Sequence, residues 1–479
     1  MPGSPHSVEE ATPLISDNEH TGPARQTHPQ RTVALTSLLI LFLAGAGSLC
    51  RVPETRLLED VLCHRYYKDV FRGGDTIDER LCKADQVQSE LAYILGASST
   101  TDAVTGLVVA LPYGVLADRI GRRFVLVLST VGTIFSTLWM MVVLRFWEQI
   151  PVYFTVASPA FQVVGGGTSV LLAMAYSLVA DAVPNAIRVD SFSRMAAASY
   201  VGTFLGSLSA ARLMQTGSPW IPVLLSIVLV ILGTSLVFFI PEALHAKHHG
   251  SQVTTTPTKQ QSFLSSIRNH ITKSLSRFKQ SITVLHSPSA FFVLLVFLCQ
   301  VPVILAAGQL FVQYVSKRFG WSLAETGYLL SIRGITSIFV LLVGLPQLGK
   351  FLTSSSTPPI YLSPQSKDLA LARLSALCIT TGALLMASNV IPIIAAGQVI
   401  LTLGDGLIPL CRSIITSFVD AEHFSTVYTL ISMTETVGAV GAGPTLAGLF
   451  SAGIKLGGPA IFLLRWRFTS AASHLTPSP

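Results

Sequence analysis

The stretch GVLADRIGRR at Gly114–Arg123 separates two long apolar runs. The run before it, 91–116, and the run after it, 124–144, are each long enough to cross the roughly 30 Å of hydrocarbon in a bilayer as a helix. A turn that carries one aspartate and three arginines must lie at the membrane surface, because charges inside hydrocarbon are costly. The sequence therefore predicts two membrane helices joined by a charged turn.

The composition extends this prediction to the whole chain. Half of the 479 residues are hydrophobic, 12% are charged, and the mean hydropathy is +0.58, which excludes a soluble enzyme of this size. Apolar runs recur from Val33 towards the C-terminus without the every-second-residue alternation of a membrane barrel. We therefore predict an all-α polytopic membrane protein.

The apolar runs divide the chain into two sets of helices. Eleven runs are predicted to span the membrane, at 33–49, 91–116, 124–144, 153–180, 191–214, 220–240, 290–315, 324–348, 369–388, 391–418 and 424–450. For a twelfth helix only 460–464 is strongly apolar, which is too short for a crossing. The predicted domains are a disordered cytoplasmic tail at 1–32, a six-helix bundle at 33–240, a cytoplasmic linker at 241–288, a second bundle at 289–465 and a C-terminal tail at 466–479.

The net charge of +7 reflects topology rather than a nucleic-acid surface, because the basic residues are dispersed at helix ends. The linker at 241–288 is strongly basic, which places it and the 114–123 turn on the cytoplasmic side. Apolar residues recur in the linker at three- to four-residue steps, so it is predicted to form an amphipathic helix on the inner leaflet. A calmodulin-target helix has the same pattern and stays an alternative.

The six cysteines predict a disulfide rather than a metal site. No C-x-x-C pair or histidine cluster has metal-ligand spacing. Cys63 and Cys82 lie in the hydrophilic loop of about 35 residues that follows helix 1, and this loop faces the oxidising exterior if the N-terminus is cytoplasmic. We predict that they pair, with two free thiols as the alternative.

The spacing Gly-x-x-x-Asp-Arg-x-Gly-Arg-Arg between two membrane helices resembles the loop 2/3 signature of the major facilitator superfamily. The two halves also echo each other, since 107–112 at the end of helix 2 is similar to 341–346 at the end of helix 8. The resemblance implies a fold of two six-helix bundles. It also implies that the signature residues form a cytoplasmic gate; these are Gly114, Asp118, Arg119, Gly121, Arg122 and Arg123. The alternative is that these residues only set the orientation of the helices in the membrane, through their positive charge.

Charged residues within the predicted helices are the next functional candidates, because each needs a partner or water. Asp102 lies about 24 Å from Asp118 along helix 2, Arg333 about 15 Å from the outer end of helix 8, and Glu435 about 16 Å from the inner end of helix 11. The family resemblance puts these helices at the interface between the halves. Asp102 and Glu435 are predicted to carry protons and Arg333 to anchor an anionic substrate. A structural Arg333–Glu435 pair is the alternative, and weaker candidates are Asp405, Arg412 and Arg194.

Together these features predict a monomeric secondary transporter of a small organic solute, working by alternating access as a proton symporter. The long loop after helix 1 is similar to that of the proton-coupled folate transporter group. A drug/proton antiporter is less favoured because 202–207 lacks the proline of that group's helix 5. A non-transporting sensor, or a carrier inactivated by its short C-terminus, is also compatible with the sequence. The sequence predicts no enzyme activity, metal or cofactor, and protons, lipids and the solute as partners, in the plasma or vacuolar membrane.

Overall fold

The computed structural model describes residues 29–68, 77–240, 288–344, 347–348, 364–417 and 424–455. Within these ranges the chain is helical and contains no β-strand. This confirms the predicted all-α fold. The predicted disordered tail at 1–32 is wrong for its last four residues, because α1 begins at Pro29. The rest of that tail, the amphipathic linker helix, the short helix 12 and the C-terminal tail lie outside the described residues.

Six helices form the N-terminal half. Their bounds are α1 Pro29–Tyr66, α2 Asp85–Ile120, α3 Arg122–Arg145, α4 Gly167–Ala182, α5 Asn185–Thr216 and α6 Trp220–Val237. Two 3₁₀ segments, Leu81–Lys83 and Val152–Val163, precede α2 and α4. The charged turn of the sequence is reduced to one residue, Gly121, whose φ of 101° suits glycine and lets α3 start at once.

Five further helices form the described part of the C-terminal half. α7 comprises Pro288–Leu305, the π-helical segment Ala306–Leu310 and Phe311–Phe319. α8 is Leu323–Phe339 with the π-helical segment Val340–Gly344, and α9 is Pro364–Met386. α10 comprises Ile391–Leu403, the 3₁₀ segment Gly404–Gly406 and Leu407–Ser417; α11 is Phe424–Lys455.

Among the described residues, eight helices are long and apolar enough to cross a membrane. The remaining three long helices are α2, α5 and α8. α2 packs against α11, and α5 packs against α8, so all three lie where the two halves meet. Helices that carry polar groups are therefore placed at the interface, away from lipid.

Helix 1 is longer than predicted. The sequence suggested an end at 49, but α1 continues to Tyr66 and converts much of the expected loop into helix. Its extension carries charge pairs one turn apart, Arg56–Glu59 at 3.3 Å and Arg56–Asp60 at 3.9 Å. The extension also buries an apolar stripe against α2 and α3, formed by Leu57, Leu58, Val61 and Leu62.

Helix 4 is shorter than predicted. The expected span 153–180 is split into the 3₁₀ segment Val152–Val163 and α4. Gly165, Gly166 and Gly167 connect them with φ values of 101°, 90° and 64°. Residues with a Cβ rarely adopt these angles, so the glycine triplet forms the break. The break keeps Gln162 outside the regular helix, at a position important for the site described below.

Candidate functional site

The halves meet along two antiparallel helix pairs. We call the end with the α2–α3 turn the inner end, following the charge-based prediction, and the opposite end the outer end. Between α2 and α11, Ser89 Oγ lies 2.5 Å from Ser451 Oγ, and Thr100 Oγ1 donates to the Val440 carbonyl at 3.3 Å. Between these two contacts the backbones of α2 and α11 lie so close that a side chain does not fit: a Cβ on Gly96 would lie 2.6 Å from the Gly443 oxygen.

The second pair, α5 and α8, meets in the same way. Tyr328 donates a hydrogen bond to Gln215 Oε1 at 2.9 Å near the outer end. Further in, a Cβ on Gly334 would lie 3.1 Å from the Cβ of Phe204. These contacts lie in the outer part of both helices, as they do in the α2–α11 pair.

The inner parts of the facing surfaces of α2 and α11 are open. Val104 and Val108 follow Thr100 at four-residue steps on α2, and they are 43% and 64% exposed. Val437 precedes Val440 by one turn on α11 and is 64% exposed. The faces that touch in the outer half therefore separate in the inner half. The structure has a cleft between the halves that is closed at its outer end.

Each of the four interface helices carries a polar or ionisable residue at the apex of this cleft. Asp102 lies two residues beyond Thr100 on α2, and Tyr200 lies one turn beyond Phe204 on α5. Arg333 precedes Gly334 on α8, and Glu435 lies beyond Val440 on α11. We call Asp102, Tyr200, Arg333 and Glu435 the apex residues. The three predicted charges thus lie on three of the four helices that join the halves, near or beyond the innermost of the contacts described above.

Asp102 is an exposed residue although it lies in the middle of a 36-residue helix. Gln162, from the 3₁₀ segment before α4, hydrogen-bonds its carboxylate, and Arg51 of α1 lies within electrostatic range. The Gln162 amide supplies a hydrogen bond to the Asp102 carboxylate, which faces the cleft. Asp102 is therefore accessible from the cleft.

Glu435 forms an ion pair that the sequence analysis did not favour. Its Oε1 lies 2.7 Å from Arg412 Nη2 of α10, so the alternative Arg333–Glu435 pair is wrong. Asp405, in the 3₁₀ segment of α10, accepts a hydrogen bond from Ser337 of α8 at 3.1 Å. Both Asp405 and Arg333 lie within electrostatic range of Tyr200 on the opposite half.

The structure adds two charges at the outer side of the cleft that sequence reasoning missed. Arg51 and Glu54 lie on α1, which was expected to end at 49. Arg51 is exposed, and its Nη1 lies 4.0 Å from where a Cβ on Gly308 would be, in the π-helical segment of α7. The acid–base spacing of 56, 59, 60 and 64 was the available signal, because it is typical of a continuing helix.

An apolar layer closes the cleft on the outer side. Val52, the neighbour of Arg51, packs with Val312 of α7 and Leu323 of α8, and all three side chains are buried. Met214 and Leu330 pack against this layer. Because it joins α1 to the C-terminal half, opening the outer end would expose these side chains to water.

Polar contacts between the halves lie further out. Lys317 of α7 forms an ion pair with Asp85 at the start of α2, and also donates to the Lys83 carbonyl at 3.1 Å. Glu79 Oε1 accepts a hydrogen bond from the backbone nitrogen of Leu323 at 2.8 Å. Leu323 is the first residue of α8, so this carboxylate lies at a helix N-terminus, where negative charge is stabilised.

A buried network holds Glu79 in place. Glu59, 1% exposed, lies 2.7 Å from Lys83 Nζ and 3.3 Å from Arg56, and accepts from Gln88 at 2.5 Å. Lys83 and Arg56 also contact Glu79, at 3.1 Å and 3.3 Å. The structure joins Cys63 to Cys82 in a disulfide, which fixes the Leu81–Lys83 segment to α1. We call Glu79 together with its buried network, Glu59, Arg56, Lys83, Gln88 and the Cys63–Cys82 disulfide, the outer latch.

The signature residues at the inner end contact their own half. Arg122 pairs with Asp181 and donates to the Ser177 carbonyl at 2.6 Å, both on α4. Arg123 donates to the Phe238 carbonyl at 2.5 Å, just beyond α6. A Cβ on Gly114 would meet no atom within 4 Å. The side chains of Asp118 and Arg119 lie outside the described residues.

Among the described residues, no group of three or more His, Cys, Asp or Glu side chains has the arrangement of a metal site. The charged groups at the apex instead come from both halves of a cleft. Such an arrangement can hold a polar solute between two bodies.

Known proteins with similar sequences are transporters. "MFS efflux pump atnC" of Emericella nidulans is 29% identical over 467 residues, covering 94% of this chain and 88% of the relative. "Efflux pump ustT" of Aspergillus flavus is 28% identical over 443 residues, covering 91% and 85%.

Solved structures share the fold. The human organic anion transporter MFSD10 (TETRAN) has a TM-score of 0.59 at 16% identity, covering 94% of this chain and 99% of that one. The nucleoside transporter NupG has a TM-score of 0.57 at 12% identity, covering 93% and 96%. The sequence profile of the Major Facilitator Superfamily matches residues 88–362, which is more than half of the chain. This chain is therefore a multi-pass membrane transporter, not an enzyme, and belongs to the Major Facilitator Superfamily.

Proposed function

We propose that this protein exports a small organic solute by alternating access, with protons as the driving ion. The observation that carries the proposal is the cleft, which is closed at its outer end and has ionisable residues from both halves at its apex. A solute entering from the inner side reaches Asp102, Tyr200, Arg333 and Glu435 together. Export is proposed in place of symport because atnC and ustT are both named efflux pumps.

Alternating access requires the inner ends of α2 and α11 to close when the outer latch opens. Gly114 supports this proposal, because its surroundings are empty in the present state and its small size leaves room for a helix to approach. Arg122 and Arg123 hold α3 to α4 and α6, so the turn would move with its half as one body. We propose that the Gly114–Arg123 turn is the inner gate.

Proton coupling is proposed to run through Asp102, with Glu435 as the second carboxylate. Asp102 faces the cleft with Gln162 and Arg51 beside it, whereas Glu435 is already paired with Arg412 at 2.7 Å. Protonation of Asp102 removes an anion from the apex without breaking an ion pair. Protonation of Glu435 would break its ion pair with Arg412, so the two sites are expected to respond differently.

The test uses proteoliposomes with an acidic lumen and a solute found by screening the purified protein for thermal stabilisation. Protons leaving the lumen should drive solute uptake in wild type. Asp102→Asn should remove this acid-driven uptake but keep exchange of labelled for unlabelled solute. Glu148→Gln, an exposed carboxylate on the outer surface, is the matched control and should behave as wild type.

Two results would contradict the proposal. Acid-driven uptake that is unchanged in Asp102→Asn and in Glu435→Gln would exclude both carboxylates as proton carriers. A folded wild-type protein that binds solute without any exchange would exclude transport and leave solute sensing.

A further inference from the structure

Two guanidinium groups at the cleft form no ion pair or hydrogen bond with a carboxylate in the described part of the chain, although Asp102 and Glu54 lie within electrostatic range of one of them. Arg51 of α1 is exposed and Arg333 of α8 is half-buried, and neither forms an ion pair with a described residue. They belong to opposite halves. Arg412, by contrast, is paired with Glu435. An unpaired cation within a membrane protein is costly and usually marks a substrate or ion pathway.

The neighbouring carboxylates are engaged elsewhere. Glu54, one turn beyond Arg51, hydrogen-bonds the Cys50 thiol. Asp102 is hydrogen-bonded by Gln162, and Asp405 accepts from Ser337. These acids lower the electrostatic cost of the arginines at a distance, but they do not occupy the hydrogen-bonding edges of either guanidinium. Each arginine therefore keeps donors available to a ligand.

The structure leaves room beside Arg51. Its Nη1 lies 4.0 Å from the position of a Cβ on Gly308, so any longer side chain there would occupy the space next to the guanidinium. Gly308 is in the π-helical segment Ala306–Leu310, and such segments occur frequently at functional sites. The apolar layer that begins at Val52 ends this space on the outer side.

We propose that Arg51 and Arg333 bind the anionic groups of the transported solute, one from each half of the protein. The solute class is accordingly an organic anion with carboxylate groups, which guanidinium binds with two parallel hydrogen bonds. An anion that reaches both arginines links the halves across the apex. This inference rests on the proposed function, because it assigns the substrate class of the same cleft.

The test measures thermal stabilisation of the purified full-length protein by aromatic dicarboxylates and by the corresponding uncharged diamides. Wild type should be stabilised by the dicarboxylates only. Arg51→Gln and Arg333→Gln should each raise the half-saturating concentration about ten- to a hundredfold, because a charge-assisted hydrogen bond is lost. Arg51→Lys should fall between them and wild type, since it keeps the charge but not the planar fork.

Two further variants separate a binding defect from a folding defect. Arg145→Gln removes an exposed arginine at the end of α3, outside the cleft, and should bind as wild type. Gly308→Leu should weaken binding by filling the space beside Arg51 without changing any charge. An unliganded melting temperature close to that of wild type would show that these proteins fold.

The proposal is overturned if dicarboxylates and diamides stabilise wild type equally, if neither stabilises it, or if Arg51→Gln binds dicarboxylates as wild type does. Flux in proteoliposomes distinguishes this failure from failure of the proposed function. If wild type and Arg51→Gln transport an uncharged solute equally well, the proposed anion site is refuted and the proposed transport function stands. If dicarboxylates bind in a way that depends on the arginines but are not transported, the anion site stands and the proposed transport function is refuted.

Discussion

Replacing Glu79 by glutamine should open the outer end of the cleft. Glu79 is the residue of the outer latch that joins the buried network of the N-terminal half to the first residue of α8, through the 2.8 Å hydrogen bond from Leu323. Its side chain is 22% exposed, so solvent screens it only in part. Glutamine keeps the shape and a neutral acceptor oxygen but removes the charge.

The expected effect follows from these contacts. A charge-assisted hydrogen bond exceeds a neutral one by about 1 kcal/mol. A negative charge at a helix N-terminus contributes about 0.5 kcal/mol more. The variant should therefore destabilise the outward-closed state by about 1.5 kcal/mol, which corresponds to about a tenfold shift in the conformational ratio.

Asp85→Asn provides the comparison that makes this prediction specific. The Asp85 side chain is 72% exposed, so its ion pair with Lys317 is screened and should contribute between about 0 and 1 kcal/mol. Its expected shift is less than about fivefold. Glu148→Gln removes an exposed outer charge away from these contacts and should have no effect.

The assay is a distance measurement between spin labels by double electron–electron resonance. Labels at positions 218 and 390 report the separation of the outer loops of the two halves, and both sites are exposed. The background lacks the free cysteines Cys50, Cys299, Cys378 and Cys411 and keeps the disulfide. The prediction is refuted if Glu79→Gln gives the wild-type distance distribution, or if Asp85→Asn shifts it further than Glu79→Gln does.

Three other predictions concern the same framework. Gly96→Leu should shift the spin-label distances towards the open outer state, because even its Cβ would lie 2.6 Å from a backbone oxygen of α11; an unchanged distribution would contradict the close contact. Arg412→Gln should lower the melting temperature by leaving Glu435 without its partner, and the added Glu435→Gln substitution should restore it; a double variant no more stable than the single one would refute the pairing. Cys63→Ser should lower the free energy of unfolding by about 3 kcal/mol, because it opens the loop that the disulfide closes between residues 19 positions apart. A reductant should then lower the free energy of unfolding of wild type but not of the variant.

The periodic features of the fold were predictable from the sequence. Long apolar runs bounded by charge predict membrane helices because the bilayer fixes their minimum length, and most helices agree with the predicted positions to within a few residues. The sequence also identified Asp102, Arg333 and Glu435 as charges within membrane helices, since few charges occur within such runs. Their placement on the helices that join the halves follows from which helices pair, which the family resemblance supplied.

The remaining features depend on long-range packing. The partner of Glu435 was not predictable, because the relative rotation of α10 and α11 decides whether Arg412 or Arg333 reaches it. The end of α1 was missed because the extension contains few consecutive apolar residues. Its helicity depends on the 1%-exposed Glu59 and on contacts with α2 and α3, which come from distant parts of the chain.

Because α1 is one continuous helix, it mechanically connects the cleft to the outer latch. Its 38 residues give it a length of about 57 Å, and no loop separates its membrane part from its outer extension. Arg51, at the cleft, and Glu59, at the centre of the outer latch, lie on this one helix about 12 Å apart. Pro53 lies between the two residues without ending the helix, so a displacement of the arginine reaches the latch through one continuous helix.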